Sequence, residues 1–181
     1  MIDIKDLEMV ILGIVQKQGP CTPYAVRMEF ERSPSPHFSS SPGSIYPIIA
    51  RLHSRKWLIP RQDATGKRKR TLFRISAAGQ KALRAWLTPP LPDEAVGLTY
   101  DPLRTRMYFL TALAPEEVDA YLDHVTDRLQ KELDRAKRYL RTYSKQEEPL
   151  SWLATLGGVE SLKARIRWIR KAREILISRA T

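Results

Sequence analysis

The chain has 181 residues, 43% of them hydrophobic, with a formal net charge of +11; that allows one compact core, or a small core with an extended helical part, and a basic surface that attracts polyanions. No apolar run approaches the roughly 20 residues of a membrane span and no basic-then-apolar leader opens the chain, so no membrane partner is expected and the protein is placed in the cytoplasm. One cysteine (Cys21) and three histidines (His37, His53, His124) rule out an internal disulfide and offer no metal-ligand spacing.

The charge is uneven. Residues 1–90 carry 15 Lys and Arg against 6 Asp and Glu, whereas residues 91–181 carry 16 against 14, so the first half is the one expected to meet a polyanion. Its opening stretch, IKDLEMVILGIVQKQG, sets Leu7, Ile11, Ile14, Val15 and Gln18 at helical spacing with Val10 alongside, and stops at Gly19-Pro20. Thr22 and Pro23, a cap residue and a first-turn proline, open a short helix with Tyr24, Arg27 and Glu31 on one side and Val26 and Phe30 inward. It closes at Ser33-Pro34, and SPSPHFSSSP reads as an irregular turn.

The next helix lies in SPGSIYPIIARLHSRKW. Ile45, Ile48, Ile49 and Leu52 form one stripe, with Lys56 on the same side at its end. The opposite face is small (Gly43, Pro47, Ala50, Ser54), edged by Ser44, Arg51 and Arg55 on one side and by Tyr46 and His53 on the other. A face that is flat in the middle with donors along its edges suits insertion into a nucleic-acid groove. Pro47 cannot donate to the Gly43 carbonyl, so a loose first turn or a start near Ser44 is expected, leaving amides free for a phosphate.

WLIPRQD, ATG and KRKRTLFRIS then read as strand, tight turn and strand: Leu58 and Ile59 lead out, Gly66 turns, and Leu72, Phe73 and Ile75 anchor the return. Lys67, Arg68, Lys69 and Arg70 stand together at the head of the returning strand. Alternate sides of a strand cannot all be buried, so these cations are solvated or hold phosphates. Ser76 caps a last helix, AAGQKALRAWL. Three helices followed by a hairpin with a basic tip is the winged helix-turn-helix order. The fold class is therefore mainly α with a small β-hairpin wing: a winged helix-turn-helix over 1–88, a linker over 89–99 (proline-rich PPLPDEAVGLT) and an α-helical domain over 100–181.

In that last part Asp101-Pro102 opens LRTRMYFLTAL, and Pro115 begins a run to Tyr143 in which Val118, Leu122, Val125, Leu129, Leu133, Ala136, Leu140 and Tyr143 step by threes and fours. That is a coiled-coil-like seam. A final helix capped at Ser151 aligns Leu162, Ile166, Ile169 and Leu176; its Gly157-Gly158 pair reads as a weak spot or a close helix crossing. A helix this long is expected to pack against a second copy, which makes Val118, Leu122, Val125, Leu129, Leu133, Leu140, Leu162, Ile166 and Ile169 the candidate dimer contacts. An intramolecular helical hairpin is the alternative.

Three groups of motifs carry a resemblance to the PadR family of bacterial transcriptional regulators. They are Gly19-Pro20 with Tyr24, the run Ser41-Pro42-Gly43-Ser44-Ile45-Tyr46-Pro47 with Arg51-Leu52, and Phe73-Arg74-Ile75-Ser76 with Gly79. The chain departs from that family at Thr22-Pro23, at His53 and at Trp57, which stands where a helix-ending glycine is usual. The second half is similar to the long-tailed branch that resembles the virulence-gene activator A proteins, whose C-terminal domain is all-helical and dimerises. With the residue pattern, the resemblance implies a homodimer on a (pseudo)palindromic operator in double-stranded DNA. The candidate DNA contacts are Tyr24, Arg27, Ser41, Ser44, Tyr46, Arg51, Lys67, Arg68, Lys69 and Arg70. Asn is absent and no Gln lies on the recognition helix, so modest direct base reading is expected.

No Gly-rich phosphate loop, HExxH, CxxC or nucleophile elbow is present, and neither an enzyme nor a cofactor is expected. His124 with Asp123 and Asp127 reads as solvated charge at helical spacing, and Cys21 as a small buried filler. A small-molecule effector stays open, with Tyr121, Trp152 and Trp168 as candidate pocket residues and packing as their simpler use. A basic RNA-binding protein and a winged-helix protein–protein module are the alternative functions.

Overall fold

The computed structural model describes residues 4–32, 42–63, 70–98 and 100–177. The chain divides into two compact units, Met1–Leu98 and Thr99–Thr181.

The first unit runs α1 (Ile4–Gln18), α2 (Pro23–Arg32), α3 (Pro42–Ser54), β1 (Leu58–Asp63), β2 (Arg70–Ile75), α4 (Ala77–Leu87) and a short α5 (Asp93–Val96). Ile11, Leu12 and Val15 of α1, Val26 and Phe30 of α2, the four apolar residues of α3 and Leu58 of β1 make one core, each large side chain stabilising the unit by about 1.5–3 kcal/mol. The stripes expected of α2 and α3 are thus the buried ones. Gly19, in the left-handed region at φ 76, ends α1 where a side chain would strain the turn. Cys21 then exchanges two backbone hydrogen bonds with Phe73 of β2 (3.1 and 2.8 Å), tying the α1–α2 connection to the wing.

Two details of α3 differ from expectation. The helix begins at Pro42 and runs through Pro47, which excludes the start near Ser44 and leaves the alternative of a loose first turn. Its far end needs no glycine at position 57, because Lys56 takes the left-handed conformation (φ 59). The Trp57 amide reaches back to the Leu52 carbonyl (2.9 Å) and the Lys56 amide to His53 (2.8 Å), a Schellman end with Trp57 one residue past the left-handed position. The antiparallel hairpin pairs Leu58 with Ile75 through to Asp63 with Arg70.

At the foot of the hairpin the Ser76 hydroxyl donates to the Lys56 carbonyl (2.7 Å) and accepts from the Gly79 amide (3.0 Å), capping α4. The Ser76 amide donates to the Trp57 carbonyl (2.9 Å). α4 lies so close to this strand that a β-carbon at Gly79 would overlap the Trp57 carbonyl oxygen and stand 2.8 Å from Ile75 Cγ1.

The second unit holds α6 (Pro102–Met107), a 3-10 turn (Leu110–Ala112), α7 (Pro115–Leu140) and α8 (Pro149–Ile177). Asp101 Oδ1 caps α6 by accepting from the Leu103 amide (2.8 Å) and also accepts from Arg165 of α8 (2.8 Å). The helix expected through LRTRMYFLTAL stops at Met107, leaving Tyr108 and Phe109 exposed. α8 begins at Pro149, so Ser151 lies in its first turn and is not the cap. A side chain at Gly157 or Gly158 would meet nothing within 4 Å, which removes an intrachain helix crossing there.

α7 and α8 form an antiparallel hairpin, about 39 and 44 Å long at 1.5 Å per residue. Leu122, Val125, Leu129, Leu133 and Ala136 of α7 bury against Val159, Ile166 and Ile169 of α8, with Val118, Leu140 and Leu162 packed around them. Within this chain the residues assigned to a subunit contact pack on one another, in the manner of the intramolecular-hairpin alternative. Spacing by threes and fours reports that a helix packs on a partner, not which chain supplies it. Arg173 locks the same pair of helices, reaching Asp119 and Asp123 at 2.6 Å each.

Candidate nucleic-acid interface

With its apolar stripe buried, α3 turns Pro47, Ala50, His53 and Ser54 outward together with Tyr46, which is 44% exposed. The centre of this face is small, as the spacing implied. Ser44 is half-buried. His53 turns toward the base of the wing, its Nδ1 3.3 Å from the Leu58 carbonyl and its ring edge-on to Phe73, so this edge of α3 is seated on the hairpin.

Tyr24 and Tyr46 come from different helices and Arg70 from the wing, yet all three line one open cleft of about 520 Å³ with Thr22, Pro23 and Thr71. The Thr22 hydroxyl accepts from the Ala25 amide (3.1 Å), which caps α2 and points Tyr24, 56% exposed, off its first turn. Arg27 stacks over the Tyr24 ring at 5.4 Å and pairs with Glu31 at 2.8 Å, so it stands beside the cleft as a support for Tyr24. The cleft is walled by two phenol rings and a guanidinium, groups that receive phosphates and base edges.

Arg51 occupies a different position from the one its place on α3 suggested. Its Nε donates to Glu8 Oε1 at 3.1 Å, and Arg55 reaches the other oxygen of the same carboxylate at 2.6 Å. Glu8 is 3% exposed. Sequence reading missed it, although the signal was present: Glu8, Ile11, Leu12 and Val15 share one helical stripe, and an acid there needs a cationic partner. Arg61 and Arg74 were also passed over. The register sets Ile59, Arg61, Arg70, Leu72 and Arg74 on one face of the hairpin, and the three arginines are exposed there, so the wing has a basic outer face. Ser41, Lys67, Arg68 and Lys69 lie outside the described residues.

Burial, followed by the charge of Glu29, pushes the Cys21 thiol up. Arg173 hydrogen-bonds Asp123 and holds its carboxyl below the usual range, so the Asp123–His124–Asp127 group is anchored by an ion pair. Among the described residues no cluster of His, Cys, Asp and Glu could hold a metal ion, and no helix is long and apolar enough to cross a membrane.

Residues 11–85, which span the three helices, the wing and most of α4, match the model of the transcriptional regulator PadR-like family, and residues 100–176 match that of the virulence activator alpha C-terminal domain. The first unit thus carries a PadR-like domain and the second a virulence activator alpha C-terminal domain. The chain's PadR-like fold is similar to that of Bacillus subtilis PadR in complex with operator DNA, at 20% identity and a TM-score of 0.77 over 94% of this chain and 98% of that one. Bacillus subtilis PadR in complex with p-coumaric acid is similar at 17% identity and a TM-score of 0.76, over 97% and 98%. The Vibrio cholerae virulence activator AphA is similar at 16% and 0.69, over 95% and 98%. No curated protein sequence matches the chain. As in the PadR-like family, the architecture is a winged helix-turn-helix followed by a helical domain.

Proposed function

We propose that this PadR-like chain is a homodimeric regulator that binds a pseudo-palindromic site in double-stranded DNA, with α3 in the major groove and the basic wing on the backbone or in the minor groove. In this reading residues 1–88 bind DNA, 89–99 link, and 100–181 dimerise. The observation that carries it is the cleft in which Tyr24, Tyr46 and Arg70 converge beside the small, outward face of a helix anchored by four buried apolar side chains. A DNA contact needs such a helix, close-approaching and rigidly seated. The resemblance to a PadR solved on operator DNA supports the same assignment.

Because the α7–α8 seam is used within the chain, the second copy is assigned to another surface. An apolar groove of about 680 Å³, lined by Met107, Leu110, Leu113, Val118, Trp168 and Ile175 among others, lies next in the chain to the exposed Tyr108 and Phe109. We take this groove, together with its two exposed aromatic neighbours, as the surface a second copy covers. Pairing matters for affinity, since one recognition helix alone stays near the nonspecific level of roughly 10⁻⁴ to 10⁻⁶ M and a tethered second helix multiplies it.

The test is selection from a random duplex library followed by binding titrations against salt, with duplex RNA as competitor. Replacing Lys67, Arg68, Lys69 and Arg70 by Ala should flatten the salt slope by about 0.9 per lost phosphate contact, and Tyr46→Ala should cost about 1–3 kcal/mol with the fold intact. RNA competing as well as DNA, or an unchanged slope, refutes the DNA reading. Ile175→Glu should turn a dimer into a folded monomer in sedimentation. A dimer that persists removes the groove as the subunit contact.

A further inference from the structure

Among the described residues Glu8 is the only buried charged side chain, and it faces the recognition helix. A carboxylate taken out of water needs its lone pairs filled by cations. Glu8 gives one oxygen to Arg51 (3.1 Å) and the other to Arg55 (2.6 Å), two arginines four residues apart on α3 whose side chains are still 43% and 49% exposed. Arg55 is held on a second side, with its guanidinium 5.4 Å over the Trp57 ring. Both cations therefore stand at the solvent edge of the helix, tethered to α1 through Glu8, and Arg55 also to Trp57 just past the end of α3.

We propose that Glu8 is a positioning residue that sets DNA specificity by pinning Arg51 and Arg55. The inference rests on the reading of α3 as the DNA-contacting helix. A free arginine on a long flexible stem finds a phosphate on any sequence, and each such contact adds to sequence-independent binding. An arginine tied through its guanidinium to a buried carboxylate gives up that search. It presents its remaining N–H groups in one fixed direction, which rewards only a duplex with an acceptor in that place. Glu8 thus subtracts from indiscriminate attraction at the edge of the helix while the wing supplies it. Either arginine also shields the carboxylate, so the cluster cannot be dismantled from the arginine side without leaving Glu8 buried and under-paired.

The experiment compares the full wild-type chain with Glu8→Gln on two probes: a short mixed-sequence duplex, and the duplex the wild type selects from a random library. Freed from the carboxylate, the two arginines should steepen the slope of log K against log salt on the mixed duplex by about 0.9 each, up to about 1.8. The ratio of selected-site to mixed-sequence affinity should fall by about an order of magnitude, since one extra phosphate contact is worth roughly that at moderate salt. A Glu8→Gln chain that melts at a lower temperature but keeps both slope and ratio shows a structural role only and overturns the proposal. Arg55→Gln provides a second arm that leaves Glu8 with Arg51: because a pinned Arg55 is not on a phosphate, the mixed-duplex slope should stay unchanged, and a loss of about 0.9 overturns the proposal. Wild-type protein that binds neither probe in a salt-dependent way refutes the DNA reading and this inference together. Salt-dependent wild-type binding with an unchanged Glu8→Gln slope refutes this inference alone.

Discussion

Replacing Gly79 by Ala tests how closely α4 is seated on the foot of the wing. In an open helix the change should stabilise, because glycine is roughly 1 kcal/mol poorer than alanine. Here the new methyl would meet the Trp57 carbonyl oxygen well inside van der Waals contact and Ile75 Cγ1 at 2.8 Å. Neither can step aside freely: the carbonyl accepts from the Ser76 amide at 2.9 Å, and Ile75 is paired with Leu58 in the ladder. Overpacking costs about 1–3 kcal/mol, the strained Ser76 bond about 1 more and a disturbed cap about 1, so the net loss is roughly 2–4 kcal/mol after the propensity gain. For a unit of this size that lowers the melting temperature by about 10–25 °C. The assay is thermal unfolding by circular dichroism, with hydrogen exchange assigning the loss to peptides of α4 and the hairpin. Gly13→Ala is the control, because a β-carbon there meets nothing within 4 Å; it should be neutral or stabilising by up to about 1 kcal/mol. A Gly79→Ala chain as stable as wild type, beside a well-behaved control, would refute the close seating of α4.

Three further outcomes follow from the same geometry. Lys56→Gly should raise the urea midpoint by the equivalent of about 1 kcal/mol, because a residue with a β-carbon is strained at the left-handed end of α3; a lower midpoint contradicts the Schellman end. Leu129→Glu should melt the helical hairpin, with loss of ellipticity, because the charge would be buried within the chain; a folded monomer would return the seam to the subunit contact. Since Arg173 lowers the Asp123 carboxyl, their ion pair supports α7 and α8 at neutral pH and is lost as pH falls below about 4. Asp123→Asn should therefore lower the melting temperature at pH 7 and flatten its acid dependence below that value, and an unchanged acid limb argues against the pair.

What the sequence disclosed was local. The stripe Ile45, Ile48, Ile49, Leu52 is buried because a 3.6-residue repeat needs nothing beyond its own helix to be read, and Ser76 announces α4 because a cap acts within three residues. What it withheld was pairing at a distance. The partner of Arg51 lies 43 residues back, so its place on α3 could not distinguish a free donor from a tethered one. The seam from Val118 to Leu140 showed an apolar face without saying that α8 would cover it. Trp57 attracted notice as a missing glycine, whereas the strain falls on Lys56, one residue earlier, whose side chain gives no local sign of a left-handed backbone. Tyr24, Tyr46 and Arg70 were each nominated singly, and only the fold brings them to one cleft.

The two hydrogen bonds between Cys21 and Phe73 have a mechanical consequence. A two-stranded ribbon fastened along one edge can flap about that edge. Here β2 is gripped from both flanks, by β1 and by Cys21 two residues ahead of α2, so the ribbon's root and the start of that helix are tied together. Torque applied to the ribbon at Arg70 is delivered through Phe73 and Cys21 to Thr22 and Tyr24 rather than dissipated in bending, which keeps Arg70 in step with the phenols of the cleft.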